Sequence, residues 1–210
     1  VLLYADDVKI IGKAASSADC SLTQADLNAI EQWSATNKLP LSLSKSQCLH
    51  IGRRNVNHNF TIGGSPLPVV SQCTDLGLIR SSDFKYNAHI SATVNKANRA
   101  MGMLLRTFSS RKQPFLLKLF KTYIRPILEY AAPVWNTASA GLDHDVERVQ
   151  RRFTKRIHGL NQQSYTSRLE LLRLDSLAAR RQRIDLMTIR KALCGDLSID
   201  CKTIGLFAVQ

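Results

Sequence analysis

The residues of this chain best suited to chemistry are two adjacent aspartates near its beginning. Asp6 and Asp7 stand between two largely apolar runs, residues 1–3 and 8–11. Short apolar runs around a polar turn predict a β-hairpin that presents acid at its tip. Adjacent carboxylates repel each other, and a hard dication such as Mg²⁺, held by one or two carboxylates together with substrate phosphates, offsets this repulsion. The pair therefore predicts a metal site for phosphoryl transfer, and an ordinary polar hairpin is the alternative.

A metal site of this kind needs more acid than one pair, because two-metal phosphoryl transfer uses ions about 3.5–4 Å apart. Successive strand residues point to opposite faces, so Asp6 at the tip is the better direct ligand, and Asp7 ligates weakly or orients the turn. Asp19 and Asp26 fall in a predicted helix and are a poor source of a further ligand. We therefore expect at least one more carboxylate from a segment upstream of the hairpin.

Lys45 is the other candidate for chemistry near this pair. It lies on a predicted turn, residues 44–47, between two short runs at 41–43 and 48–51 that alternate like antiparallel strands. A lysine at such a turn can contact a phosphate or act as general acid toward a leaving pyrophosphate. A solvent-exposed turn lysine explains the same position equally well.

The first part of the chain is predicted to form short strands and one helix, and these elements would position the residues named above. The helix is predicted from the caps at Ser16 and Ser17 to about Asn37. Its apolar stripe, which we expect to lie across a sheet, is formed by Leu22, Ala25, Ala29 and Trp33, widened by Leu27 and Ile30. Further strands are predicted at 69–70 and 76–79, with a hairpin turn at 63–66.

From about Asn87 the apolar period becomes helical and stays so. Four helices are predicted, and Pro126 should kink or interrupt the second of them. The third carries a stripe formed by Leu142, Val146, Val149, Phe153 and Ile157. The fourth runs from about Ser176 to Leu193, and the boundary between the mixed and the helical part is expected near 80–87.

Positive charge is concentrated in the helical part. Residues 1–75 hold six Lys or Arg and six Asp or Glu, so the whole net charge of +13 comes from 76–210. This asymmetry predicts a partner that is a polyanion, bound chiefly through its phosphate backbone. The expected contacts are Arg148, Arg151, Arg152, Lys155 and Arg156 on the third helix and Arg180, Arg181 and Arg183 on the fourth. A solvated surface with i,i+4 ion pairs is the alternative, although acids are few there.

The cysteines and the hydropathy exclude some classes of protein. Five cysteines at 20, 48, 73, 194 and 201 are widely spaced without a C-x-x-C pair, which is typical of reduced thiols. Cys194 and Cys201 have no further ligand at metal-binding spacing. No apolar run reaches 18 residues, so no transmembrane helix is predicted, and the beginning of the chain resembles no signal peptide.

Six segments, in the same order along the chain, carry a resemblance to one family. They are Tyr4–Asp7, Trp33–Lys45, Asp75–Ile79 with His89-Ile90, Tyr123–Tyr130 with Val134-Trp135, Glu147–Thr154 and Leu174–Arg181. Together they resemble the C-terminal part of the reverse transcriptase of a non-LTR (LINE-type, jockey-like) retrotransposon. The Y-A-D-D box matches the family's catalytic motif, and Tyr123–Tyr130 resembles its thumb signature. Ser44 and Pro40 depart from the family pattern W-x3-N-x-L-x-L-N-x2-K.

The resemblance implies an α+β fold. A partial palm, made of a small antiparallel sheet with one packed helix, would occupy residues 1–83, an all-helical thumb 84–160 and a basic C-terminal helical region 161–210.

Asp6 and Asp7 are carried over as the catalytic, metal-binding carboxylates and Lys45 as the motif lysine. The implied cofactor is Mg²⁺, for which Mn²⁺ can substitute. The implied partners are an RNA template, a DNA primer and deoxynucleotide triphosphates. Trp135, Tyr130 and Tyr123 would belong to the thumb core and not to a base-stacking surface.

The resemblance also implies parts that lie outside this chain, namely the fingers, another metal-binding aspartate and an N-terminal endonuclease. We therefore interpret the chain as the C-terminal piece of a polymerase, cut at its active site, and expect it to be inactive alone. A non-catalytic nucleic-acid-binding relic that uses the basic helices is the alternative, and a helical module that binds protein is a weaker third. Elements of this type must reach the nucleus, so nucleus and cytoplasm are the inferred compartments.

Overall fold

The computed structural model of the protein describes residues 1–136 and 140–197. The chain divides into two compact units, Val1–Tyr86 and a second that begins at Asn87. The first combines short strands with one long helix and the second is helical, so the predicted α+β class is confirmed. The assignment of palm, thumb and basic C-terminal region to 1–83, 84–160 and 161–210 stays a prediction. Cys201 and the end of the last region lie outside the described residues.

The first unit contains one helix and four pairs of short strands. The helix is α1 (Ser17–Asn37). The strands are β1 (Leu2–Tyr4), β2 (Asp7–Lys9), β3 (Cys48–Leu49), β4 (Thr61–Ile62), β5 (Ser65–Pro66), β6 (Val69–Val70), β7 (Gln72–Asp75) and β8 (Leu78–Ser81). Antiparallel pairs join β1 to β2, β4 to β5 and β7 to β8, and β3 pairs with β6 in parallel.

Helix α1 begins and ends where its capping residues predict. The Ser16 hydroxyl accepts a hydrogen bond from the backbone N–H of Asp19, which satisfies one of the free donors of the first turn. At the other end Lys38 adopts the left-handed conformation with φ 55° and donates to the carbonyls of Ala35 and Ser34. That geometry closes the last turn and sends the chain away from the helix axis.

Most of the face predicted for burial on α1 is exposed, and of its predicted residues only Leu27 is buried. Leu22 and Trp33 are 70% and 53% exposed, whereas Cys20, Leu27 and Ser34 are buried at seven-residue spacing. Both faces of this helix carry apolar residues, so the period alone could not choose between them. The buried residues Cys20 and Leu27 form a core with Phe60 and Ile62.

Polar side chains of α1 also fix the β4–β5 hairpin. The Gln24 amide donates to the carbonyl of Thr61 at 2.8 Å and accepts from its N–H at 3.0 Å, so it acts as a partner for the strand. The turn predicted at Gly63 and Gly64 is confirmed. Both glycines have positive φ, 59° and 73°, which is the conformation that two-residue hairpin turns require.

Two of the predicted strand assignments are wrong. Residues 41–43 form no strand, because the backbone N–H groups of Lys45 and Ser46 both donate to the carbonyl of Ser42 and close a local turn. The Ser46 hydroxyl donates to the same carbonyl at 3.0 Å, a local side-chain bond of the kind that competes with a strand ladder. Consequently β3 pairs with β6, and the connecting segment 50–68 is long enough for a parallel crossover. Leu76 and Gly77 lie in the turn of the β7–β8 hairpin, not in a strand.

The second unit is built from helices. They are α2 (Asn87–Thr107), α3 (Gln113–Leu119), a π-helical turn (Phe120–Ile124), α4 (Arg125–Glu129), α5 (Ala132–Trp135), α6 (Ala140–Thr154), α7 (Tyr165–Leu172) and α8 (Leu177–Leu193). Among the described residues, its largest fully buried apolar side chains are Trp135, Phe120, Phe153, Leu116, Ile124, Leu128, Ile157 and Leu177. No helix of the described ranges is long and apolar enough to cross a membrane.

The interruption predicted at Pro126 takes the form of the π-helical turn that precedes it. The N–H of Arg125 donates to the carbonyl of Phe120, five residues back. Proline has no N–H to continue the ladder, and a wider turn accommodates the missing bond without breaking the helix. Helices α3 and α4 therefore continue through the turn as one rod.

Candidate functional site

The two aspartates lie at the tip of a confirmed β-hairpin. Strands β1 and β2 pair antiparallel, with Tyr4 opposite Asp7, so that Ala5 and Asp6 form the loop. Ala5 takes the left-handed conformation with φ 52° that the tight turn needs. All four residues of the box are exposed. Asp6 is therefore at the apex and Asp7 is the first residue of the returning strand.

The carboxylate pair fits part of a magnesium site. No group of three or more His, Cys, Asp or Glu side chains that could hold a metal occurs within residues 1–136 and 140–197. Mg²⁺ keeps several waters and is often held by one or two carboxylates and substrate phosphates, so Asp6 and Asp7 suit that role as a partial ligand set. Metal binding here stays a prediction, as does the catalytic role of Lys45. The Lys45 side chain is exposed on the turn that follows residues 41–42.

An ion-pair cluster that the sequence analysis did not predict holds the base of this hairpin. Asp75, the last residue of β7, accepts a hydrogen bond from Lys9 of β2. It also lies 2.8 Å from the Nε of Arg80 on β8, in a contact that is electrostatic because the buried N–H is not aligned for a hydrogen bond. Asp75 is thus engaged by two cations, and the cluster connects the Y-A-D-D hairpin to the β7–β8 hairpin. Pairing between residues this far apart leaves no signal in a single sequence.

Helix α6 has two polar faces with different roles. Its buried polar residues are Glu147, Gln150 and Thr154. Glu147 accepts from the Tyr165 hydroxyl and from the backbone N–H of Ala178, at 3.3 Å, in the first turn of α8. Gln150 donates to Tyr165 and to the carbonyl of Asp175, both at 3.0 Å. These residues fasten α7 and α8 to α6, which is a structural role.

The C-terminal end of α6 is closed by a buried arginine. Arg168 of α7 donates to the Thr154 hydroxyl at 3.1 Å and to the carbonyl of Arg151 at 3.3 Å. A guanidinium at a helix C-terminus satisfies free carbonyls and complements the helix dipole. The ring of Tyr165 lies between Arg168 and Arg151, with guanidinium carbons 5.5 and 4.8 Å from its centroid.

The opposite side of α6 and the turn after it form what we call the α6 basic face. It consists of Arg148, Arg151, Arg152, Lys155 and Arg156, all of them exposed. Arg148 pairs with Asp145 at 3.0 Å. Within the described part of the chain, no carboxylate lies within ion-pair distance of the other four. Arg151, Arg152, Lys155 and Arg156 therefore present positive charge that no carboxylate of the described residues neutralises.

The arginines of α8 do not form a second such face. Arg181 is 1% exposed and its guanidinium donates to Asp143 and Asn136, so its predicted position on an exposed basic surface is wrong. Arg180 is half-buried and donates to both oxygens of Glu129. Arg183 is exposed and pairs with Asp175 at 2.9 Å. The expectation that acids are too few to pair most of these arginines is also wrong for α8.

The aromatic residues of the resembling segment 123–135 separate into two groups. Trp135 is buried, and its indole N–H donates to the carbonyl of Tyr130 at 2.6 Å, so its place in the core is confirmed. Tyr123 and Tyr130 are 55% and 54% exposed, which contradicts the predicted core position. The π-helical turn changes the register of the helix around Tyr123, and Tyr130 lies just beyond α4 with extended backbone, so the sequence period could predict neither position.

Comparison with known proteins gives two distant relatives. The chain is similar to the RNA-directed DNA polymerase from mobile element jockey of Drosophila funebris, with 22% identity over 166 residues, which is 76% of this chain and 18% of that protein. It is also 25% identical, over 129 residues, to an uncharacterised protein of Caenorhabditis elegans, covering 60% of this chain and 65% of that protein. The chain thus spans less than two thirds of the length of either relative.

No family model matches the chain, and no solved structure is significantly similar to it. The comparisons therefore give one similarity to a protein of named activity, the distant one to the jockey polymerase.

Proposed function

We propose that the chain is the palm and thumb part of the RNA-directed DNA polymerase of a non-LTR, jockey-like retrotransposon. The observation that carries this proposal is the exposed Y-A-D-D hairpin, with Asp6 at its apex, in a chain that is distantly similar to the jockey polymerase. The four cations of the α6 basic face without a carboxylate partner in the described residues support the same assignment, because a polymerase must hold the phosphate backbone of its template and primer. We infer that such a protein acts in the nucleus and cytoplasm.

In this proposal the reaction joins a deoxynucleotide to the 3′-hydroxyl of a DNA primer paired to RNA. The hydroxyl oxygen bonds to the α-phosphorus of the triphosphate, the bond to pyrophosphate breaks, and the hydroxyl proton passes to solvent. Asp6 and Asp7 would hold Mg²⁺ or Mn²⁺, which supplies charge stabilisation to the attacking and leaving oxygens. Lys45 would contact the triphosphate or donate a proton to the leaving pyrophosphate. The α6 basic face would hold the backbone of the duplex.

We expect the 210-residue chain to be inactive alone, because its described residues provide two exposed carboxylates and no third acidic ligand beside them. A primer-extension assay with Mg²⁺ and a primed RNA template checks this expectation. Extension that disappears in Asp6→Asn would contradict the expected inactivity while assigning Asp6 a catalytic role.

The first test of the proposal is binding of a primed RNA–DNA duplex over a range of salt concentrations. The logarithm of the binding constant falls linearly with the logarithm of the salt concentration, and each lost phosphate contact reduces the magnitude of this slope by about one. The double variant Arg152→Gln, Arg156→Gln is therefore expected to lower that slope by about one to two. Lys13→Gln is the control, since Lys13 is an exposed cation of the first unit. Equal slopes for the double variant and the control would contradict the role of the α6 basic face.

A nucleic-acid-binding protein without catalysis is the second candidate, and the lack of a third ligand in the described ranges favours it. Binding of Mn²⁺, followed by electron paramagnetic resonance, discriminates between the two. The polymerase assignment predicts weak Mn²⁺ binding that Asp6→Asn abolishes. The alternative predicts the same Mn²⁺ signal with and without the Asp6 carboxylate.

A further inference from the structure

Lys9 is the cation nearest in sequence to the two aspartates, and it shares a strand with one of them. Strand β2 runs from Asp7 to Lys9, and Lys9 is the one Lys or Arg among residues 1–12. Residues two apart on a strand lie on the same face, about 6–7 Å from each other. The flexible four-carbon stem of a lysine spans that distance. Lys9 is therefore able to pair with Asp7, which would place an ammonium where the proposed site needs a metal ion.

The structure shows a different partner for Lys9. Its ammonium donates to the carboxylate of Asp75, and no cation of the described ranges 1–136 and 140–197 lies within ion-pair distance of Asp6 or Asp7. The Asp75 side chain is only 14% exposed, whereas Asp7 is exposed to solvent. A partly buried pair is screened much less than an exposed one, so the ammonium is held at Asp75 in preference to Asp7.

Arg80 holds Asp75 in place for this contact. Its Nε lies 2.8 Å from the Asp75 carboxylate, and the two residues belong to the paired strands β7 and β8. Loss of Lys9 would therefore leave Asp75 with a cation, and no partly buried charge would be left unpaired. Loss of the Asp75 charge has the opposite effect. Asp75 is the single carboxylate of the described residues within ion-pair distance of Lys9, so its loss would release the ammonium.

We propose that Asp75 is a positioning residue for the metal site at Asp6 and Asp7, because it holds the Lys9 ammonium away from Asp7. The Asp7 carboxylate then stays available to a divalent cation. This inference rests on the proposed function, in which the carboxylate pair binds Mg²⁺ or Mn²⁺. It adds to that function a residue that touches neither metal nor substrate and acts through Lys9.

Binding of Mn²⁺ to the full 210-residue chain, followed by electron paramagnetic resonance, tests this role. Asp75→Asn is expected to weaken Mn²⁺ binding about threefold to sixfold, the size expected when Mn²⁺ must displace an exposed ion pair. Lys9→Met alone should change binding less than about twofold, because Asp75 already holds Lys9 away from the site. In the Asp75→Asn background, Lys9→Met should restore the binding of the parent chain.

Two further variants serve as controls. Asp75→Glu keeps the negative charge and should bind Mn²⁺ like the parent chain. Arg80→Gln removes a cation of the same cluster and leaves Lys9 with Asp75, so it should also change binding less than about twofold. A general effect of charge on the metal would instead make Arg80→Gln and Lys9→Met strengthen binding alike, and would give Lys9→Met the same effect in both backgrounds. That result overturns the proposal.

A merely structural role of Asp75 predicts another pattern. Lys9→Met would then weaken Mn²⁺ binding as Asp75→Asn does, and the double variant would not recover. Either observation overturns the proposal, and the first does so whether or not Asp75→Asn folds, because Lys9→Met leaves Asp75 paired with Arg80.

The failure of this inference is separable from that of the proposed function. Mn²⁺ binding that Asp6→Asn abolishes and Asp75→Asn leaves unchanged would retain the metal site and reject the role of Asp75. Mn²⁺ binding that is absent, or that does not depend on Asp6, would reject the metal site and this inference together.

Discussion

Arg181 of α8 and Asp143 of α6 form an ion pair at 2.5 Å in which the arginine side chain is only 1% exposed. The guanidinium also lies over the ring of Trp135, 5.5 Å from its centroid, and donates to Asn136. Two residues further along the same helix, Arg183 forms an ion pair with Asp175 that is exposed to solvent. The sequence pattern does not distinguish these two arginines, whereas the structure shows that one ion pair is buried and the other is exposed to solvent.

Arg181→Met is expected to destabilise the helical unit by about 2–4 kcal/mol, because it leaves Asp143 and Asn136 without their partner. Arg183→Met removes an exposed pair and should cost less than about 1 kcal/mol. Urea denaturation followed by circular dichroism measures both. Equal losses in the two variants would contradict the buried role of Arg181.

Some features of the site could be predicted from the sequence because they are local. The Asp6 hairpin needs only a polar pair between two apolar runs, and the buried and basic sides of α6 follow from a period of 3.6 residues. A signal for Arg181 was also present, since it shares a helical face with Leu177 and Ala192, both buried. Charge on that face predicts a buried pair and not a phosphate contact.

Other features depend on long-range geometry and could not be predicted. The contact of Lys9 with Asp75 joins residues from distant segments. Helix α1 carries apolar residues on two faces, and only tertiary packing decides that Leu27 is inside and Trp33 outside. The exposure of Tyr123 depends on a π-helical turn that changes the register after Phe120.

Tyr165 should make the stability of the helical unit decrease at alkaline pH. Burial, together with the bond to the Glu147 carboxylate, raises the pKa of Tyr165 far above its ordinary value of 10. Above about pH 10 the unfolded chain loses this proton and the folded chain keeps it, so the free energy of unfolding falls as pH rises, by at most about 1.4 kcal/mol per pH unit.

Urea denaturation between pH 8.5 and 11 checks this prediction. Tyr165→Phe cannot ionise, so its stability should fall less steeply with pH, although it starts about 1–2 kcal/mol lower for want of the Glu147 bond. Tyr4→Phe is the control, because Tyr4 is exposed. A parallel decrease in the parent chain and Tyr165→Phe would show that another group is responsible.

His89 should act in the opposite direction at acid pH. It is buried near the beginning of α2, with its ring 6.0 Å from that of Trp135, and burial lowers the pKa of His89 below its ordinary value of 6.5. Below about pH 6.5 the unfolded chain binds a proton at His89 that the folded chain does not bind. The free energy of unfolding therefore decreases as the pH falls. His89→Gln should flatten this dependence between pH 7.5 and 5, measured by urea denaturation with Trp135 fluorescence in a Trp33→Phe background. His158→Gln, at an exposed position, should retain it, and an unchanged slope in His89→Gln would exclude His89 as its source.

Gly12 should tolerate no larger residue, because a Cβ there would collide with Thr23 of α1. An added Cβ would lie 2.7 Å from the Thr23 Cγ2 and closer still to its Oγ1. Gly12→Ala is therefore expected to destabilise the first unit by about 1–3 kcal/mol through overpacking. Thr23→Ala removes both colliding atoms, so the double variant should lose clearly less than the sum of the two single variants. Urea denaturation of all four proteins measures this coupling. Strictly additive losses would mean that the segment before α1 moves away from Thr23 without cost, and that Gly12 does not fix its approach to the helix.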